Sequence, residues 1–231
     1  MKLILLGILL LLTFFYGIVI GTAKIFPYEY VKYGIFMLIE NNYSNEQSSN
    51  YRNQKSQFDI LSHKPAKIMM LGDSIIESGH WNELLQRSDI INRGLSGDTT
   101  IGIIHRLDNI NPGIEKTLIM IGINDISRGK EADEIFTSYR QMLSILKKKN
   151  ITPIIHSTLY VGSNNPWFYN TKVTELNRLL AEYAMHHNIL YIDINKVLAP
   201  EGFLDDRYSE DGLHLNGDGY KQWAKVIEQS L

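Results

Sequence analysis

The chain has 231 residues, with 23 basic side chains against 25 acidic ones and no cysteine. A formal net charge of −2 leaves no basic excess to meet a phosphate backbone, so nucleic acid is not an expected partner. The lack of cysteine excludes a disulfide framework, a thiolate zinc site and a cysteine nucleophile together.

In chain order, residues 3–23 read LILLGILLLLTFFYGIVIGTA and carry no charge. As a helix this run reaches about 30 Å, the thickness of a bilayer's hydrocarbon core. The expectation is an N-terminal transmembrane helix within residues 1–24, acting as a membrane anchor. Gly21-Thr22-Ala23 has the small-x-small pattern of a signal-peptidase site, yet the apolar stretch is longer than a usual signal-peptide core. An uncleaved signal anchor with the remainder outside the cytoplasm is therefore expected; cleavage would make the protein secreted. Residues 25–60 follow as a juxtamembrane segment and stalk. Phe26, Tyr28, Tyr30, Tyr33 and Phe36 suit either the headgroup level or a helix packed on the globular body. Residues 41–57, NNYSNEQSSNYRNQKSQ, hold no aliphatic side chain and so read as flexible.

Residues 61–231 form the expected single domain. Short apolar runs at 67–71, 89–92, 117–121, 151–156 and 189–193 alternate with helical patterns at 100–107, 132–149, 171–187 and 217–229. That alternation predicts an α/β fold, a three-layer α/β/α sandwich around a five-stranded parallel sheet. Pro153 lacks a ladder donor, so the fourth strand should begin around it. In open sheets of this kind ligands bind beyond the carboxyl ends of the strands, which directs attention to the residues just after them.

Gly72-Asp73-Ser74 follows the first strand, Asn92-Arg93-Gly94-Leu95-Ser96-Gly97-Asp98-Thr99-Thr100 the second, and Gly122-Ile123-Asn124-Asp125 the third. Asp211-Gly212-Leu213-His214 precedes the last helix. Each block alone is common turn or cap chemistry. Together, in this order, they resemble the four blocks of the SGNH or GDSL-type serine hydrolases over residues 66–228, nearest to the acetylhydrolase-like and lysophospholipase-like bacterial branch. The resemblance implies the flavodoxin-like SGNH hydrolase fold and carboxylic ester hydrolysis. The sequence has no G-x-S-x-G elbow, which argues against the α/β-hydrolase fold.

Ser74 is the expected nucleophile and His214 the base that takes its proton during attack. Asp211, on the same turn as His214, can accept from the other imidazole nitrogen and stabilise the imidazolium, completing a Ser-His-Asp triad. In some members of the family a backbone carbonyl shares the acid's role. By resemblance the oxyanion hole is formed by the N–H groups of Ser74 and Gly94 and the side-chain amide of Asn124. Asp73 and Asp125 are assigned to holding loops in shape. His105, His186 and His187 fall on helical stretches, His63 and His80 in loops, and His156 could border the pocket. No metal and no cofactor are expected, since no cluster has ligand spacing.

Residues 159–171, LYVGSNNPWFYNT, are expected to overhang the site as a substrate-selecting loop. The expected substrate is an acetyl or other short acyl ester on a cell-envelope glycan or lipid. Lysophospholipase or thioesterase action on longer chains, acyl transfer to a glycan, and a non-catalytic binding module remain as alternatives. The membrane, reached through the N-terminal helix, is an expected partner; no obligate protein partner is.

Overall fold

A computed structural model describes residues 11, 13–19, 22, 48–63, 65–228 and 230. The chain divides into two units, residues 1–43 and 44–231. In the first, the described residues are helical, and Leu11, Phe14, Phe15, Tyr16, Ile18 and Val19 are exposed. The rest of the expected anchor, and the aromatic segment from Phe26 to Phe36, lie outside the described residues. Among the described residues no helix is long and apolar enough to cross a membrane.

The second unit is built on five parallel strands: β1 Ile68–Gly72, β2 Ile90–Gly94, β3 Lys116–Met120, β4 Thr152–His156 and β5 Leu190–Ile192. Their order is β2-β1-β3-β4-β5, with the direction of winding reversing between β1 and β3. β1 is buried at all five positions, as expected for a strand covered on both faces. The register is level at the carboxyl edge, where Gly72 pairs with Gly94 on one side and Met120 on the other. The chain therefore leaves three adjacent strands at one height, and the segments after them share one crevice. β4 starts at Thr152, with Pro153 opposite Thr117.

Helices α1 Ser49–Ile60, α2 Ser74–Glu77, α3 Trp81–Leu84, α4 Thr100–Ile104, α5 Ile123–Ser127, α6 Ala132–Lys148, α7 Trp167–His187, α8 Asn195–Leu198 and α9 Gly217–Glu228 complete the described unit. α4 to α7 pack on one another as one layer, and α3, α8 and α9 as the other. α6 shows the expected amphipathic logic: Ile135, Tyr139, Met142, Leu143 and Leu146 are buried, and a capping box joins Glu131 and Glu134 at its start. On the opposite face Trp81 packs edge-on to Trp223 at 4.9 Å, a geometry worth about 0.5–1.5 kcal/mol beyond area burial.

The flexible stalk expected through residue 60 needs correction in its second half. Residues 49–60 form α1, N-capped by the Ser48 hydroxyl, and Tyr51 is only 3% exposed. The turns facing the domain carry Tyr51, Gln54, Lys55, Phe58 and Asp59, spaced i, i+3, i+4, i+7 and i+8. That stripe has no aliphatic residue, so apolar periodicity does not reveal it. A tyrosine, a phenylalanine and hydrogen-bonding polar groups supply the adhesion instead.

Candidate active site

Ser74 opens α2 two residues beyond the end of β1. The preceding Asp73 is the N-cap, its Oδ1 accepting from the Ile75 N–H at 3.0 Å, which turns the chain sharply out of the strand. The Ser74 N–H, an orphan donor of the first helical turn, has no acceptor among the described residues.

His214 lies in the segment between the Asp206–Tyr208 turn and α9. Its Nε2 is 3.0 Å from Ser74 Oγ, and its Nδ1 is 2.7 Å from Asp211 Oδ2. Asp211 Oδ1 also accepts from the backbone N–H groups of Leu213 at 2.8 Å and His214 at 2.7 Å. Partial burial opposes ionisation of Asp211, but the bonds from the His214 side chain and from these two N–H groups outweigh it. The carboxyl is held well below the usual range. An ionised Asp211 can only accept, so Nδ1 carries the proton and Nε2 is left to accept from the Ser74 hydroxyl. The His214 and Asp211 side chains are 42% and 54% exposed, so the site opens directly to solvent.

The segment expected to overhang the site holds the histidine turn. Gly162 N–H donates to Gly212 O at 2.6 Å, Asn165 Nδ2 to the same oxygen at 3.1 Å, and Asn164 Nδ2 to Asp211 O at 3.2 Å. Its last residues, from Trp167, begin α7.

Of the three expected oxyanion donors, Gly94 is displaced. Its N–H donates to Asn92 Oδ1 at 2.8 Å, and a side chain there would strike the backbone of Glu77, so the glycine serves the close approach of β2 to α2. Gly97, three residues on, precedes Asp98, whose carbonyl accepts from Asn124. It has φ +73°, is half-buried, and its N–H has no acceptor among the described residues. Asn124, in the first turn of α5, donates one amide hydrogen to Asp98 O at 3.0 Å, leaving the second available and holding Gly97 beside it. The only sequence signal for Gly97 is its place in the Asn92–Thr100 block, just before Asp98; which N–H points where is not a property of spacing.

Beneath the crevice, Asp98 is paired with Arg106 at 2.8 Å, both nearly without exposure. Asp125 accepts from the Thr100 N–H at 3.0 Å and hydroxyl at 2.7 Å, and burial pushes its carboxyl up to about 6. Burial pushes Asp73 up to about 7, and its Oδ2 has no partner among the described residues. Both carboxylates hold loops, as expected of them. His156 does not border the crevice: it is fully buried, its Nδ1 accepts from Trp223 Nε1 at 3.2 Å, and burial lowers its pKa to about 3. Among the described residues no three His, Asp or Glu side chains converge as metal ligands.

A parallel sheet carrying Gly-Asp-Ser after its first strand and Asp-x-x-His before its last helix defines the SGNH class. Residues 70–222 match the GDSL-like lipase/acylhydrolase family, and the chain belongs to it. It is 26% identical over 165 residues to the N-acylneuraminate cytidylyltransferase of Streptococcus agalactiae serotype III. That match covers 70% of this chain and 38% of the relative, so the chain spans well under half of that protein's length. It is 29% identical over 174 residues to the isoamyl acetate-hydrolyzing esterase of Saccharomyces cerevisiae, covering 64% of this chain and 72% of that one. A solved GDSL-like lipase from Bacteroides thetaiotaomicron has the same fold, with TM-score 0.67 at 22% identity over 78% of this chain and 96% of the other.

Proposed function

We propose that the protein is a serine carboxylic-ester hydrolase that removes acetyl or other short acyl groups from a cell-envelope glycan or lipid. The observation that carries this reading is the hydrogen-bonded line from Ser74 through His214 to Asp211, at 3.0 and 2.7 Å. In the proposed cycle His214 Nε2 takes the Ser74 proton as Oγ attacks the ester carbonyl. The tetrahedral oxyanion is met by the Ser74 and Gly97 N–H groups and the free amide hydrogen of Asn124. Collapse expels the alcohol, protonated by His214, and leaves an acyl-enzyme. Water, deprotonated by the same imidazole, then attacks, releasing the acid and restoring the serine.

The solvent-open imidazole favours an acyl group carried on a bulky alcohol, because nothing has to thread inward to reach it. The similarity to the isoamyl acetate-hydrolyzing esterase of yeast supports a short acyl group. The uncharged run at residues 3–23, with exposed apolar side chains where it is described, supports a membrane anchor and an extracytoplasmic domain that meets envelope esters first.

Fluorophosphonate labelling tests the nucleophile: wild type should label, and Ser74→Ala and His214→Ala should not. Labelling of Ser74→Ala equal to wild type would refute it. A series of p-nitrophenyl esters tests chain length, and a rate maximum at eight carbons or beyond, about the reach of a lipid-type site, would favour lysophospholipase or thioesterase action. Product analysis with an added glycan acceptor separates hydrolysis from transfer.

A further inference from the structure

Helix α1 presents three side chains from one face to the framework around the crevice, at positions i, i+3 and i+7. Tyr51 OH donates to Gly102 O at 3.1 Å. Gln54 Nε2 donates to Glu77 Oε1 at 2.9 Å. The Phe58 ring lies 4.9 Å from the Arg93 guanidinium and 5.9 Å from that of Arg106. Beyond these, Asn109 Nδ2 donates to Asp59 at 2.8 Å and Asn111 Nδ2 to Leu61 O at 2.9 Å, seating the end of the helix.

Two of the three contacts lead to the loop at residues 95–99. Glu77 Oε2 accepts from both the Ser96 N–H, at 2.8 Å, and the Ser96 hydroxyl. Arg106 holds Asp98. Gly97 thus sits between two residues fixed from the α1 side, while from the crevice side Asn124 holds Asp98 O and Arg128 Nη2 holds Gly97 O at 2.9 Å. Glu77 spends both carboxylate oxygens on neutral donors, one from α1 and two from Ser96, which is an arrangement for fixing geometry.

We propose that Gln54 and Glu77 are positioning residues: through their hydrogen bond, α1 holds Ser96 and so aims the Gly97 N–H at the oxyanion. The inference rests on the esterase reading and extends it to a segment ahead of the family-matched residues 70–222. The Gly97 donor is strongest only when it is aimed at the point where charge develops, and misplacement of about 1 Å can cost on the order of a hundredfold in rate. Ground-state binding does not use that donor fully, so loosening the loop lowers kcat and leaves KM nearly unchanged.

The test is a reciprocal swap in the full-length chain, held in mild detergent, with p-nitrophenyl acetate as substrate. Gln54→Glu sets carboxylate against carboxylate, and kcat should fall about five- to tenfold with KM within about twofold. Adding Glu77→Gln lets the introduced amide donate to the introduced carboxylate while its carbonyl oxygen still accepts from Ser96. The double variant should therefore return kcat to within about twofold of wild type, as coupling between contacting residues requires. Asn53→Ala, on the exposed face of α1, should leave kcat unchanged. A Gln54→Glu variant with wild-type kcat, or a loss that the double variant does not restore at equal Tm, overturns the proposal. Hydrogen exchange at the Ser96 amide reads the same relay without turnover: faster in Gln54→Glu, slow again in the double variant. If Ser74-dependent turnover is absent, the esterase reading falls, and unchanged exchange would separately sink the relay.

Discussion

Tyr220 donates its hydroxyl to the Ile75 carbonyl at 2.6 Å, across 145 positions of sequence. The bond ties α9, which begins three residues after His214, to α2, which begins at Ser74. Trp223, one turn further along α9, packs on Trp81 just beyond α2 and reinforces the same junction. The approach of imidazole to hydroxyl is thus fixed by buried packing behind the crevice and does not depend on the exposed turn alone. Tyr220→Phe keeps the ring and strands a buried carbonyl, which should cost about 1–3 kcal/mol of stability in urea unfolding. It should also lower kcat several-fold on p-nitrophenyl acetate; unchanged kcat would show that the exposed turn suffices to place His214.

Asp211 serves both the backbone and the imidazole of His214, and a substitution can separate the two. In Asp211→Asn the side-chain oxygen can still accept from the Leu213 and His214 N–H groups. The new amide nitrogen then faces Nδ1 and favours the tautomer that cannot accept from Ser74. kcat should drop about 10²- to 10⁴-fold with little change in Tm. Because its carboxyl is held below the usual range, Asp211 stays ionised in the folded chain down to strong acid, and its contribution to the fold is present above the ordinary value of 3.8 and is lost as pH falls from there to the lowered value. A kcat within about tenfold of wild type would mean that solvent at this open site replaces the carboxylate.

Gly94 and Asn124 should fail in different ways. Gly94→Ala drives a methyl group into the Glu77 backbone, so the loss should appear as a lower Tm, with overpacking of this kind costing about 1–3 kcal/mol. Asn124→Ala should remain folded while kcat falls on the order of 10²- to 10³-fold, the usual consequence of losing one oxyanion donor. Parallel thermal melts and turnover measurements would distinguish them. A folded but inactive Gly94→Ala would restore that residue to the oxyanion hole.

The sheet, its parallel sense and the crevice at its carboxyl edge were legible because β1, β3 and β4 are apolar runs ending in turn residues, and periodicity reports burial directly. Ser74, Asn124, Asp211 and His214 were legible because each follows a strand or precedes the last helix. What escaped were matters of direction. The Gly94 N–H turns to Asn92, a choice made by a side chain two residues back, while the Gly97 N–H is left without an acceptor among the described residues. α1 escaped for a different reason, since Tyr51, Gln54 and Phe58 adhere through single specific contacts that a hydropathy pattern does not record.

Two buried groups tilt stability in opposite directions with pH. Asp73, pushed by burial to about 7 against an ordinary value of 3.8, binds its proton more tightly folded than unfolded. Stability should therefore fall as pH rises through that window, by up to about 1.4 kcal/mol per pH unit. His156, lowered by burial to about 3 from 6.5, stays neutral when folded while the unfolded chain takes up a proton. Its contribution is present above about 6.5 and is lost as pH falls toward 3, with the same limiting slope. Asp73→Asn keeps the oxygen that caps α2 and removes the titration, so its unfolding free energy should decline less between pH 4 and 7; the fall from Asp125, raised to about 6, is then offset by the opposite slope of His156. His156→Phe keeps an aromatic ring against Trp223 but strands the indole N–H, so it should lose stability at pH 7 and lose less on acidification. Urea unfolding across pH 4 to 8 reads both slopes. Parallel curves for wild type and either variant would mean that the substituted group titrates alike in the folded and unfolded chains, which its burial argues against.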